Sequence, residues 1–276
     1  MFHSKTLLTM ATYFSLLKKY GISYLGGVKT SAKVRYSYDK GVMTYIIYLA
    51  PADLSGRNVC PKSKYCKAFC LNGAGHNKAD VISKGINHSK INLSRIKKTN
   101  IFFDNREDFM LMMIHEIMKY EEKAKSLGMQ FACRLNGTSD ISLNAFTYQG
   151  TPIYEIFPNV QFYDYTKVYN RIETFAHVPN YDITFSYDGH NWDECEQYLS
   201  NHGRIAVVFD TPIMPKYWRG YRVIDGNKSD DRFNDDRGVI VGLHYHKPGN
   251  IYLDEKRGIF HDTQFVVKQT DSDIVF

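Results

Sequence analysis

The chain has 276 residues, 43% of them hydrophobic, which is enough for a sizeable core and most simply one domain. Its 35 Lys and Arg against 29 Asp and Glu leave a net charge of +6, an excess that suits an anionic ligand but falls short of a dedicated nucleic-acid binder. With 21 Tyr and 17 Phe it reads as an ordered protein with a β-rich interior, not a disordered one.

Residues 1–21 loosely imitate a secretory signal, but there is no small-residue cleavage site, and Thr, Tyr and Ser interrupt the apolar run. Leu7, Met10, Ala11, Phe14 and Leu17 instead share a helical face, closed by Lys18, Lys19 and Gly21, so an amphipathic helix docked on the body is expected. No stretch is long enough to span a bilayer, and an intracellular protein is expected. After a turn at Gly26 and Gly27, residues 33–38 and 43–49 alternate or run apolar around Asp39, Lys40 and Gly41, which predicts a β-hairpin.

The hairpin leads into NVCPKSKYCKAFCLNGAG, residues 58–75, where three of the five cysteines fall within eleven residues as Cys60-x5-Cys66-x3-Cys70. A zinc knuckle brings its first ligands closer together and needs a second pair further on, so zinc is the alternative here. Three thiolates from one loop suit three irons of a 4Fe-4S cluster, whose fourth iron is left for a distant residue, a small ligand or substrate. Lys62, Lys64 and Lys67 offset the charge of such a centre. Cys133, His76 and His88 are the protein candidates for the fourth position, while Cys195 sits in a helical pattern and reads as structural. The spacing is wider than that of radical S-adenosylmethionine enzymes, so the cysteines do not by themselves imply that chemistry.

Residues 80–98 return to a helical pattern with a basic face of Lys84, Lys90, Arg95, Lys97 and Lys98, which most simply is solvated. A capping box at residues 104–107 opens the clearest helix, with Phe109, Met113, Ile117, Tyr120 and Ala124 buried and Gly128 ending it. Six apolar runs then end in polar residues, at 131–134, 160–164, 183–186, 206–210, 221–225 and 239–244, with a helix capped by Asn191 and ended by Gly203 among them. Buried runs with polar carboxyl ends predict an irregular or incomplete (β/α) TIM-like barrel, and a doubly wound open sheet is the alternative. One domain is expected, with an N-terminal helix and hairpin over 1–57, the metal loop over 58–78, a barrel-like body over 79–250, and a tail over 251–276 carrying an edge strand at 264–267.

Three strand ends carry chemistry. RLNGTSD places Arg134 and Asn136 for an anion or carbonyl and Asp140 for proton transfer. FYDYTK similarly offers Asp164 and Lys167, and Ser186 closes the third run. DGNKSDDR brings Asp225 and Asp231 into a loop rich in carboxylates, without the glutamate that closes an EF-hand. There is no Walker loop, dinucleotide fingerprint, nucleophile elbow or HExxH.

Taken together, NVCPKSKYCKAFCLNGAG, the Arg-containing helix before Phe102 and Phe103, RLNGTSDI, FYDYTK and DGNKSDDRFNDDRGVIVGLHYHK resemble the phage gene product 88-like family over roughly residues 28–250. The resemblance implies a phage or prophage protein acting in the host cytoplasm and an iron–sulfur site on Cys60, Cys66 and Cys70. Cys133 does not fall on the family pattern, which favours an open iron. The expected function is an enzyme whose 4Fe-4S cluster acts as a Lewis acid on a small anionic, oxygenated substrate, in a lyase, aldolase, dehydratase or isomerase reaction. Asp140, Asp164, Asp225 and Asp231 would exchange protons, and Arg134, Asn136, Lys167 and Ser186 would bind substrate. The alternatives are a nucleic-acid-associated protein with a structural iron–sulfur or zinc site, and a redox sensor.

Overall fold

The structure is a computed structural model and describes residues 10–70, 72, 77–246 and 264–276. Seven strands form its frame: β1 Val42–Ile47, β2 Gln130–Arg134, β3 Gln161–Thr166, β4 Tyr181–Ser186, β5 Arg204–Asp210, β6 Tyr221–Asp225 and β7 Val239–His244. Every neighbouring pair among them is parallel, in the order β1-β2-β3-β4-β5-β7-β6. These are the apolar runs of the sequence, which in a parallel sheet covered on both faces have no reason to alternate.

The sheet is open, which corrects the barrel expectation. Closure requires the first and last strands to pair, but both outer ladders are already occupied by short antiparallel strands. Gly26–Gly27 pairs with β1, while Tyr217–Trp218 pairs with β6 and is itself flanked by Ile274–Val275. The strand order advances in one direction from β1 to β5, and right-handed crossovers then put the connecting helices on one face. There Arg106–Ser126 buries Phe109, Met113 and Ile117 against Met43, Tyr45, Phe131 and Phe162. The step from β6 back to β7 reverses direction, so residues 226–238 cross the opposite face, where Asp230 meets Arg134 and Tyr163.

The N-terminal hairpin is also corrected. Ala32–Asp39 is a helix, with Ser31 Oγ accepting from Val34 N at 3.3 Å and Val34 and Ser37 buried at helical spacing. Tyr36, whose alternation with Val34 and Tyr38 suggested a strand, is 46% exposed. The first described helix, Met10–Tyr20, buries Tyr13 and Leu17 but leaves Met10 and Phe14 exposed, and Leu7 lies outside the described residues. The helix expected over 80–98 is broken: Lys78–Lys84 ends at Gly85, and Ser89 caps a new helix, Lys90–Asp104, by accepting from Asn92 N at 3.1 Å. The tail contributes Val266–Lys268, β8, parallel to β5. Because β7 pairs along β5 from Arg204 to Phe209, β8 shares the other side with β4 and takes it over where β4 stops.

Candidate functional site

A cavity of about 510 Å³ opens at the carboxyl ends of β2, β3 and β4, a size typical of small-molecule sites. Its wall contains Cys60, Cys66 and Cys70 from the loop after β1, Arg134, Asn136 and Asp140 after β2, Lys167 after β3 and Ser186 at the end of β4. Eight of the eleven sequence-assigned site residues thus share one cavity, because parallel strands deliver all their carboxyl ends to one rim.

The thiol side is built by the loop folding on itself. Val59 N donates to Ala52 O at 2.9 Å, and Ala52 N in turn donates to Cys60 Sγ at 3.4 Å. Cys66 begins a short 3-10 turn, Lys67–Phe69, and Cys70 ends it. All three cysteines are partly exposed and none forms a disulfide. Burial pushes the Cys60 thiol up to about 12, and it raises Cys70 too, so any metal taken up here must displace protons. Among the described residues no three His, Cys, Asp or Glu side chains stand close enough to hold a metal ion as they are. What the thiols share is a cavity, beside a cation. Burial works against the Lys167 ammonium, yet the Cys66 and Cys60 sulfurs and Asp140 outweigh it and raise its pKa. Three thiols of one loop and the Lys167 ammonium thus line one cavity, a donor set that matches a thiolate-held centre in ligand type and number.

The opposite wall is a turn locked by hydrogen bonds. Asn136 donates its backbone N–H and its side-chain amide to Asp164, both at 3.0 Å, and accepts through Oδ1 from Ser139 Oγ at 2.8 Å and Ile141 N at 2.9 Å. Gly137 sits against β1, where a Cβ would stand 2.7 Å from Ile47 O, so no larger residue fits. Asp164 is buried beneath the turn and does not reach the cavity wall; burial pushes its carboxyl up to about 7 against the pull of Arg134 and Asn136. Asp140 accepts from Thr166 Oγ1 at 2.8 Å, Lys167 N at 3.0 Å and the Arg171 guanidinium, and so carries the segment that presents Lys167.

The remaining residues fall elsewhere. Asp225 accepts from Asn227 N and Nδ2, and Asp231 accepts from Ser37 Oγ beneath the helix Ala32–Asp39; neither lines the cavity. Cys133 is fully buried among Met43, Phe131 and Phe162 on the helix-covered face, Cys195 packs with Phe185 and Leu199, and His88 is exposed and off the cavity wall. His76 lies outside the described residues. Part of the basic helix face is engaged internally: Lys97 Nζ donates to Gly21 O at 3.1 Å, Lys98 Nζ to Leu25 O at 2.7 Å, and Arg95 to Asn72.

Sequence reasoning missed Asp230 and Tyr163. Asp230 accepts from Arg134 Nη1 at 3.0 and 3.1 Å and from Tyr163 Oη at 3.0 Å, while the Arg134 guanidinium lies 4.6 Å from the Tyr165 ring. Alternation along β3 already puts Tyr163 opposite Phe162, but nothing local ties it to a residue 67 positions away.

This is an open α/β protein on a mixed sheet with a parallel centre, and its cavity lies at the carboxyl ends of the parallel strands, where such sheets place their ligand sites. The chain belongs to the phage family described as Gene product 88, whose family model matches residues 17–263. Comparison with curated proteins and with solved structures gives no match. Among the described residues no helix is long and apolar enough to cross a membrane.

Proposed function

We propose that the protein is an iron–sulfur enzyme of the host cytoplasm acting on a small, anionic, oxygenated substrate, in a lyase, dehydratase or isomerase reaction. The observation that carries this reading is that three thiols of one loop and the ammonium of Lys167 line the same cavity. Cys60, Cys66 and Cys70 would hold a 4Fe-4S cluster, which when bound supplies a Lewis acid for a hydroxyl or carbonyl oxygen. Lys167, Ser186 and Arg134 bind and orient the anion. The turn at residues 136–140 forms one side of the cavity, and Asp140 holds Lys167 in position and is the one carboxylate of the four assigned from sequence that reaches the wall.

Anaerobic reconstitution with iron and sulfide tests this. A brown protein with about four irons per chain is expected, together with loss of colour on replacing the three cysteines by Ser. Uptake should fall as pH is lowered, because the raised thiol pKa values make protons the competitor. A colourless protein with stoichiometric zinc overturns the cluster.

A further inference from the structure

The turn that walls the cavity spends its amides unevenly. Asn136 N donates to Asp164, Gly137 N to Ile47 O, Asp140 N to Val59 O and Ile141 N to Asn136 Oδ1. The two amides between them, Thr138 N and Ser139 N, have no acceptor among the described residues. Their side chains hold the turn to the scaffold: Thr138 Oγ1 donates to Leu49 O, and Ser139 Oγ donates to Asn136 Oδ1 at 2.8 Å. Both residues line the cavity, so two successive N–H groups on a fixed backbone are left over at its wall.

A cation and a hydroxyl stand on the same wall. Asp140, next in the chain, accepts from Lys167 N at 3.0 Å and so ties the end of β3 to the turn. Thr166 pairs with Phe185 across β3 and β4, so Lys167 and Ser186 follow side by side at the rim, and both line the cavity. Lys167 Nζ makes no hydrogen bond or salt bridge among the described residues and lies 5.6 Å from the Phe265 ring. Ser186 Oγ makes no hydrogen bond there either, though the residue is only 7% exposed. Arg134 differs. Asp230 holds its Nη1 at 3.0 and 3.1 Å, Tyr165 lies against the guanidinium and Nε is buried without a partner, so its charge favours an anion in the cavity while the guanidinium itself is already committed.

These donors discriminate among anions. A planar carboxylate is gripped by a guanidinium fork through two parallel bonds, and the guanidinium of this wall is taken. Successive backbone amides in a turn, joined by a lysine as a point charge, are instead the means by which folds cradle the tetrahedral oxygens of phosphate. We propose that Thr138 N, Ser139 N, Lys167 Nζ and Ser186 Oγ form a phosphate subsite, and that the ligand of this cavity is a small phosphate monoester whose remaining oxygen functions extend toward the three thiols. The inference deepens the reading above: it rests on the cavity being the ligand site and not on the cluster itself.

The test is calorimetric titration of the full chain, before and after iron–sulfur reconstitution, with inorganic phosphate, glycerol phosphate and acetate, together with amide NMR of the metal-free chain. Both phosphates should bind saturably to both forms, and acetate more weakly by about tenfold or more. Phosphate should move the amide signals of Thr138 and Ser139 ahead of those of Asn136 and Ile141, whose N–H groups are already bonded. Lys167→Met should cost about tenfold in phosphate affinity, Lys167→Arg less, and Ser186→Ala about threefold, at unchanged iron content. If Lys167→Met does not fold, the amide signals decide alone. Acetate binding as tight as phosphate binding, phosphate binding that leaves both amide signals in place, or unaltered affinity in Lys167→Met and Ser186→Ala overturns the subsite. Phosphate binding by a chain that takes up no iron keeps the subsite and removes the cluster; iron uptake without phosphate binding keeps the cluster and removes the subsite.

Discussion

Asp164 accepts both the backbone N–H and the side-chain amide of Asn136 at 3.0 Å, so that a buried carboxylate of β3 builds the turn that walls the cavity. Because its carboxyl is pushed up to about 7, the folded protein holds a proton there that the unfolded chain has lost above about pH 4. The folded state therefore binds more protons between these values, and this residue's contribution to stability falls as pH rises from about 4 to 7, then levels off. Asp164→Asn removes that slope. The melting-temperature advantage of wild type over the variant should accordingly be larger at pH 5 than at pH 8; an equal gap at both contradicts the assignment. Asp164→Ala, which strands two Asn136 donors, should cost about 2 to 4 kcal/mol.

Glu116 does for the N-terminus what Asp164 does for the turn. Fully inside the protein on Arg106–Ser126, it accepts from Tyr13 Oη at 2.7 Å, Leu25 N at 2.8 Å, Gly26 N at 2.9 Å and Tyr45 Oη at 2.6 Å. Glu116→Gln puts an amide that donates where an acceptor is needed, and should destabilise by about 2 to 4 kcal/mol. Faster limited proteolysis within residues 10–27 is expected alongside the lower melting temperature. Loss of stability without that local exposure would mean the N-terminal segment docks by its apolar side chains alone.

The strands were legible because residues buried on both faces, such as Ala206, Val207 and Phe209, make a continuous apolar run of strand length. Closure was not, because it is decided by two-residue strands, Gly26–Gly27 and Tyr217–Trp218, too short to leave a pattern. The helix Ala32–Asp39 was misread since Val34, Tyr36 and Tyr38 alternate, while the burial that matters joins Val34 to Ser37. The cavity residues were legible as strand-end polar groups, but their partners were not. Asp230 sits in an acidic run beside Asp231, and only the reversal of strand order at β6 and β7 brings the former to Arg134 and the latter under Ser37.

The tail also bears on the thiol loop. Phe265 stacks on Phe69 with ring centroids 5.5 Å apart, and the chain there passes so close to Gly189 that a Cβ would lie 2.7 Å from Phe265 N. Gly189 has φ +100, a conformation that side chains rarely take. Gly189→Val should displace residues 264–268 from β5 and uncover the loop, seen as faster alkylation of Cys66 and Cys70 under native conditions at little change in helical content. Unchanged alkylation rates would show that the tail does not shield the thiols.

Asp225 and Asp231 separate a carboxylate of the site from one of the scaffold. Both have a lowered pKa, and both lie outside the cavity wall. Asp225 closes a local turn through Asn227, so Asp225→Asn should keep iron content, ligand affinity and turnover within about twofold and cost under about 1 kcal/mol in stability. Asp231 accepts from Ser37 Oγ at 2.5 Å and ties the 226–238 crossover to the helix Ala32–Asp39. Asp231→Asn weakens that tie and should cost about 1 to 2 kcal/mol, again without altering ligand affinity per folded molecule. Asp140→Asn is the contrast. It disturbs the acceptor of Lys167 N and Arg171, and should lower affinity for an anionic ligand through a shifted Lys167 at unchanged iron content. The three variants are compared by iron content, melting temperature and titration with small anionic ligands. A hundredfold loss of turnover in Asp225→Asn or Asp231→Asn at full stability and iron content would return that loop to the chemistry and displace the cavity described here as its seat.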